Sequence, residues 1–237
     1  MKPENTDQIE ECKRTIFVGD IHGCFQEFLT LLDKLNYDNR VDRLISLGDL
    51  VNKGPESAAV LDYFIENDIE AVKGNHDEWL WRALTGNSPM YKDAEEILRT
   101  SQFSRDELIA WLEAMPLYIK DENFIAVHAG LSPYCKLKMN KARDLFTMRF
   151  VDTKTHKILT KNNGSDTLVS WYEEYSFLKK GKREVIHGHW AKKNVCEYGR
   201  VTGLDTGCVY GGHLTAYLMP SRRFVQVESR QNKQYDY

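Results

Sequence analysis

Five short stretches of this 237-residue chain carry side chains that bind cations or move protons. They read G-D-I-H-G at 19–23, G-D-L-V-N-K-G at 48–54, K-G-N-H-D at 73–77, H-A-G at 128–130 and H-G-H-W at 187–190. Asp20 and His22 stand two apart. In extended backbone they share a face, so a carboxylate and an imidazole can hold one cation between them. Asp49 can reach the same cation or bridge to a second, which Asn75, His128 and His189 would complete. An amide oxygen such as that of Asn75 is a ligand for a hard ion. Oxygen and nitrogen donors without thiolate suit manganese, iron, zinc or cobalt. Two such ions roughly 3.5–4 Å apart can activate water and clamp a phosphoryl group. His76, beside Asn75, can trade a proton near neutral pH. Taken singly, an aspartate at a strand end is ordinarily a turn former or helix cap, and a lone histidine is more often structural. Six such residues at successive strand ends make coincidence improbable.

The elements that must position them follow from hydrophobic spacing. Thr15, Ile16, Phe17 and Val18 form a buried-strand run, and Phe25, Phe28, Leu29, Leu32 and Leu35 then recur at helical spacing. Residues 44–47 make a second strand; Pro55 suits the first turn of the helix that carries Ala58, Leu61, Phe64 and Ile65. Residues 69–72 make a third strand, ending at Asn75. Strand, polar turn, helix thus recurs three times, which predicts parallel strands with right-handed crossovers and ligands at the strands' carboxyl ends. Residues 78–116 read as an interrupted helical segment beside the active face, broken at 86–89, with Ser104 and Glu107 as a capping box. Its Trp79, Trp81 and Trp111 are expected in the core. Residues 117–119 and 124–127 form a strand pair around a turn at 121–123, and 153–166 is a polar hairpin or loop. Residues 184–186 lead into His187, and three short strands follow at 201–205, 214–218 and 224–227. One domain over 13–230 is predicted: α/β, with two mixed sheets packed together and helices outside.

Composition narrows the function classes. A net charge of −3 predicts no bulk nucleic-acid binding, and no 18-residue apolar run predicts no membrane span. Residues 1–12 are polar and show no signal-peptide pattern, and the five cysteines (Cys12, Cys24, Cys135, Cys196 and Cys208) have no metal-type spacing. Reduced thiols in a cytoplasmic protein are the expectation.

The five stretches, in order and spacing over about 190 residues, resemble the calcineurin-like metallophosphoesterases of the phosphoprotein phosphatase superfamily. Within it, the chain is most similar to the symmetrical diadenosine-tetraphosphate hydrolases and ApaH-like phosphatases. Gly54-Pro55 with Ser57, Met148-Arg149-Phe150, Gly188-His189-Trp190 and the run L-D-T-G-C-V-Y-G-G at 204–212 carry that likeness. The resemblance implies a metallophosphoesterase β-sandwich of two mixed sheets in four αββα layers, and two divalent ions, manganese first. It also implies hydrolysis of a phosphoanhydride in a dinucleoside polyphosphate, with a phosphorylated nucleotide as partner and no membrane. His76 would protonate the leaving oxygen and Arg149 would clamp phosphate, with Lys53, Lys73 and Tyr210 adding substrate contacts.

The chain departs from the superfamily at three positions, Asn52, Lys53 and Lys73, the last standing where an Arg precedes the G-N-H motif. Asn52 and Lys53 stand where typical phosphoprotein phosphatases have Asp, which orients the catalytic histidine, and Arg, which binds phosphate. Asn52 can still orient His76 but cannot stabilise an imidazolium as a carboxylate would, and Lys53 keeps the charge but loses the bidentate fork. Asp77 is expected to cap the next helix and His187 to fill the sheet; His213, after Gly212, is a weak candidate for substrate contact, and His156 has no supporting pattern. The competing functions are a serine/threonine-type protein phosphatase or general phosphomonoesterase acting on a phosphoprotein or small ester, and a catalytically silent binding module.

Overall fold

The structure, a computed structural model, describes residues 14–179 and 181–232. Cys12 and the polar segment 1–12 lie outside the described residues. The first sheet contains β1 (Arg14–Val18), β2 (Asp42–Ser46), β3 (Glu70–Ala71), β12 (His213–Met219) and β13 (Arg223–Glu228), in the order β13-β12-β1-β2-β3. β1, β2 and β3 run parallel, joined through α1 (Phe25–Leu35) and α2 (Ser57–Glu66), while β12 and β13 are antiparallel additions. The second sheet contains β4 (Tyr118–Lys120), β5 (Phe124–Val127), β9 (Glu184–His187), β10 (Cys196–Tyr198) and β11 (Val201–Gly203), in the order β10-β11-β9-β5-β4.

Period-two alternation sorts the strand side chains into layers. On β1, Ile16 and Val18 join the core beneath the helices, whereas Phe17 enters the layer between the sheets with Ile45, Phe124, Ala126, Ile186 and Tyr217. On β5 and β9, Ile125, Val127 and Val185 turn to the outer face and pack on Trp171. Phe17 meets Phe124 edge to face, with centroids 4.7 Å apart, and the Tyr217 hydroxyl donates to buried Glu184 Oε1 at 2.8 Å. An aromatic contact and a satisfied polar contact thus both cross the interface between the sheets. With α1, α2, α3 (Asn75–Leu84), α4 (Lys92–Thr100) and α5 (Arg105–Ala114) on one side and α6 (Ala142–Thr147) and α7 (Trp171–Leu178) on the other, the architecture is the expected four-layer αββα sandwich.

Three details differ from the expectation. β3 is only two residues long: Val72 N still donates to Ser46 O, but Lys73 N turns to Pro116 O at 2.9 Å, so the chain leaves the sheet early. A third, three-stranded sheet, β7-β6-β8, is built from Ile158–Leu159, Phe150–Asp152 and Leu168–Ser170, one strand inside the polar segment 153–166 and two flanking it. Strands of two or three residues are too short to show a period. The tryptophans also divide. Trp81 and Trp111 pack half-buried on the helical core, but Trp79 is 50 % exposed.

The interrupted helical segment resolves into α3 (Asn75–Leu84), α4 (Lys92–Thr100) and α5 (Arg105–Ala114), and Ser104 with Glu107 caps α5 as expected. Among the described residues no helix is long and apolar enough to cross a membrane, and Cys24, Cys135, Cys196 and Cys208 are free thiols.

Candidate metal centre

Each candidate ligand lies just past a central strand or at the start of the following helix. Asp20 and His22 follow β1, Asp49 follows β2, Asn75 opens α3, His128 follows β5 and His189 follows β9. The loops are strained in a specific way. Nine non-glycine residues among those described have positive φ, and five of them are His22, Asp49, Asn52, Lys53 and His189. Left-handed backbone at residues with side chains costs energy and persists where surrounding structure enforces it, which is the mark of a functional site. The neighbouring glycines have a steric reason. A Cβ on Gly74 would strike the Asp49 carboxylate, and one on Gly188 would strike that of Asp20.

The structure brings the six together around Asp49. Its Oδ2 lies 3.4 Å from His22 Nε2 and its Oδ1 lies 3.4 Å from His128 Nε2. Asp49, His128 and His189 offer donor atoms within 4.8 Å of one another, as do His22, Asp49 and His76. Asp20 Oδ2 is 3.9 Å from His22 Nε2, and its Oδ1 accepts from the His189 backbone N–H at 2.9 Å. Asp77 bonds to backbone instead, accepting from the amides of Asp49, Leu50 and Gly74, so it ties two of the loops to the start of α3.

The donor set fits divalent cations. His22 Nδ1 faces Val51 O at 2.9 Å and His128 Nδ1 faces Leu47 O at 2.8 Å, so both rings carry the proton on Nδ1 and present the Nε2 lone pair inward. His128 Nε2 and Asn75 Oδ1 are 3.1 Å apart, two acceptors pointed together, an arrangement that a shared cation reconciles. Asp20 Oδ2 is buried without a hydrogen-bond partner. Burial pushes the Asp49 carboxyl up to about 7 and Asp20 well above its usual range, and it pushes His22 and His189 well down and His128 to about 4. The rings are therefore neutral, as metal ligation requires, and the crowded carboxylates are groups that cations would hold ionised.

Around this cluster lies a cavity of about 360 Å³ lined by His76, Lys53, Arg149 and Tyr210 among others. The Asn52 amide nitrogen sits 3.1 Å from His76 Nδ1, and the Tyr91 hydroxyl donates to Asn52 Oδ1 at 3.1 Å. As the amide is placed, it leaves the His76 proton on Nε2. Tyr91 was not evident in the sequence, because nothing local marks a residue that acts through an amide 39 positions away. Lys53 Nζ donates to His22 Nε2 at 2.9 Å, and its backbone N–H is held by Asp93 at the start of α4. Arg149 Nε is buried and unpartnered.

Asp205 also lines the cavity, its carboxyl pushed up to about 6, first by burial and also by the charge of Asp49. It stood in the run 204–212 without a role, although an aspartate between a strand and Gly207 was a readable signal.

Lys73 requires a correction. It is buried, its Nζ lies 3.9 Å from Glu78 Oε2 and 5.4 Å over the Trp81 ring, and it does not line the cavity. Position 73 precedes the turn, so its side chain leaves on the helical side and not toward phosphate. His213 begins β12 and lies outside the lining, and His156 stacks on Tyr134.

His187 is buried in β9, its Nδ1 2.9 Å from Gly188 O and its ring 5.1 Å from that of Trp171. His189→Ala is expected to lose bound metal, while His187→Ala should keep metal but lose about 0.5–3 kcal/mol of stability through an underfilled core. Metal analysis beside thermal melting checks both, and exchanged phenotypes would invalidate the assignment.

Comparisons with known proteins bear on the family and the fold. A family model described as calcineurin-like phosphoesterase matches residues 13–217. A symmetrical bis(5'-nucleosyl)-tetraphosphatase of Nitrosospira multiformis is 28 % identical, over 89 % of this chain and 94 % of its own. A crystal structure provisionally named a diadenosine tetraphosphatase superposes with TM-score 0.79 at 29 % identity, covering 92 % of this chain and 94 % of that one. A protein serine/threonine phosphatase from Saccharomyces cerevisiae shares the fold, with TM-score 0.62 at 15 % identity over 98 % of this chain and 83 % of that one.

Proposed function

The chain belongs to the calcineurin-like phosphoesterase family, and from that premise we propose that it hydrolyses a phosphoanhydride bond in a dinucleoside polyphosphate such as diadenosine tetraphosphate. The relatives named as tetraphosphatases support the substrate class. The observation that carries the preference for an anhydride over a phosphoprotein is the partner of His76. Burial, then the charges of Lys53 and His128, push the ring down to about 2, and an amide, not a carboxylate, faces its Nδ1. With no carboxylate to stabilise an imidazolium, the ring is neutral at pH 7 and little of its acid form is present. Such a ring suits a leaving phosphate, which departs with little protonation, better than a serine alkoxide, which needs a proton.

Two divalent ions held by Asp20, His22, Asp49, Asn75, His128 and His189 would supply Lewis acidity and a nucleophile at neutral pH. Manganese is the proposed ion, on the hard oxygen and imidazole donors. The free thiols suit a reducing compartment, and the proposal places the protein in the cytoplasm. Arg149 holds the phosphoryl oxygens through the guanidinium whose Nε lacks a partner in the protein, and Lys53 adds charge beside it. The phosphate chain's negative charge raises the basicity of His76 as it binds, so the ring takes up a second proton, and as an imidazolium it gives its Nε2 proton to the leaving oxygen and returns to neutral. Tyr91 and Asn52 fix that ring.

The test is turnover of diadenosine tetraphosphate, tripolyphosphate and a phosphoserine peptide by the manganese-loaded protein, side by side. The dinucleotide should be preferred and should yield two ADP; preference for the peptide would refute the proposal. Arg149→Ala should retain metal and lose about 1.5–3 kcal/mol of transition-state stabilisation on the preferred substrate, read from kcat/KM. Kinetics matching wild type would remove Arg149 from the clamp.

A further inference from the structure

Trp79 is an anomaly of burial. α3 puts Leu80, Ala83 and Leu84 into the core at 0–1 % exposure and packs Trp81 against it, yet its other tryptophan remains 50 % exposed. Leaving so much apolar surface in water forfeits stabilisation that burial would give. Helical spacing accounts for its position. Residue 79 lies four positions after Asn75 and three after His76, so its side chain stands on the same face of α3 as the candidate ligand and proton donor. Its ring centroid is 4.3 Å from that of His76, with the planes at 55°, which fixes the indole at the edge of the metal centre. It lines the cavity together with Arg149, Lys161 and Tyr210. The site thus has a floor of candidate metal-binding groups, cationic side chains for phosphate, and one half-exposed indole on the helical wall.

We propose that Trp79 is a stacking platform for a nucleobase of the substrate, and so the residue that distinguishes a nucleotide from a bare phosphate chain. This deepens the nucleotide reading above and rests on it. A cavity of about 360 Å³ is at the small end for ligand sites, which suits one base with its phosphates and leaves the far nucleoside outside. Stacking tolerates any base, because every base has a π-face. The platform therefore selects for the presence of a base more than for its identity. Phosphopeptides offer no such planar group beside the phosphate, and Trp79 gives them no equivalent gain.

The experiment compares manganese-loaded wild type, Trp79→Ala and Trp79→Phe in two ways. Calorimetric titration of ADP and of pyrophosphate gives a selectivity for the base that does not depend on turnover. KM values for diadenosine tetraphosphate and tripolyphosphate give the same ratio during reaction. Loss of one base–aromatic stack should reduce the wild-type preference for ADP over pyrophosphate by about 5- to 150-fold in the alanine variant, and phenylalanine should restore most of it. An unchanged ratio in Trp79→Ala overturns the proposal, including the case in which all rates fall together because the indole only supports the His76 ring. If wild type prefers ADP but does not hydrolyse diadenosine tetraphosphate, the platform stands and the substrate assignment falls. If wild type shows no preference for ADP, the platform itself is refuted.

Discussion

Asp49→Asn should fold, bind metal at least about 100-fold more weakly, and turn over almost no substrate. That bound is the upper end of the loss seen when a merely supporting residue of a metal site is changed, and Asp49 is placed between both halves of the cluster, 3.4 Å from His22 on one oxygen and 3.4 Å from His128 on the other. The fold should tolerate the change. Burial pushes the Asp49 carboxyl up to about 7, so in chelator-treated wild type the stability it contributes is full below the unfolded value near 4. It is lost as pH rises through about 7. The uncharged amide carries no such penalty, and its oxygen can keep the His76 backbone N–H that Asp49 Oδ1 accepts at 2.8 Å. At pH 8 the chelator-treated variant should therefore melt no lower than chelator-treated wild type. Metal analysis and melting curves check both statements. Two metals per chain with normal turnover would take Asp49 out of the bridging position.

His76→Asn should retain metal and lose activity in proportion to how badly the leaving group needs a proton. A phosphoserine ester should slow by roughly 10²–10⁴-fold, the range for general acid–base catalysis, while an activated aryl phosphate or an anhydride should slow less. Two readings of His76 compete on geometry. It lies within ligand reach of His22 and Asp49, yet its Nδ1 is engaged by Asn52, which leaves Nε2 to face the substrate. Metal content separates them, since a ligand's loss removes metal and a proton donor's loss does not. An equal loss on all leaving groups with metal retained would make His76 a positioning residue.

The sequence by itself determined the strand–turn–helix repeats and the side chains they deliver. Alternation puts Phe17 on the face opposite Ile16 and Val18, and Phe124 on the face opposite Ile125 and Val127, because successive strand residues must point to opposite faces; that the two phenylalanines meet in one layer is decided by the packing of the sheets. Asp20, His22, Asp49 and Asn75 were legible because each adjoins a glycine that could not carry a Cβ beside a neighbouring carboxylate or loop, a requirement that leaves G-D, H-G and G-N in the text. Tertiary structure decided what depends on distant partners. Lys73 and Lys53 look alike in sequence, but Lys73 is drawn to Glu78 and Trp81 while Lys53 reaches His22. Tyr91 acquires its position only when α4 docks against the Asn52 loop. Trp79 and Trp81 sit two apart on one helix. A two-residue step turns an α-helix by about 200°, so packing that buries one of them against the core must leave the other facing the metal centre.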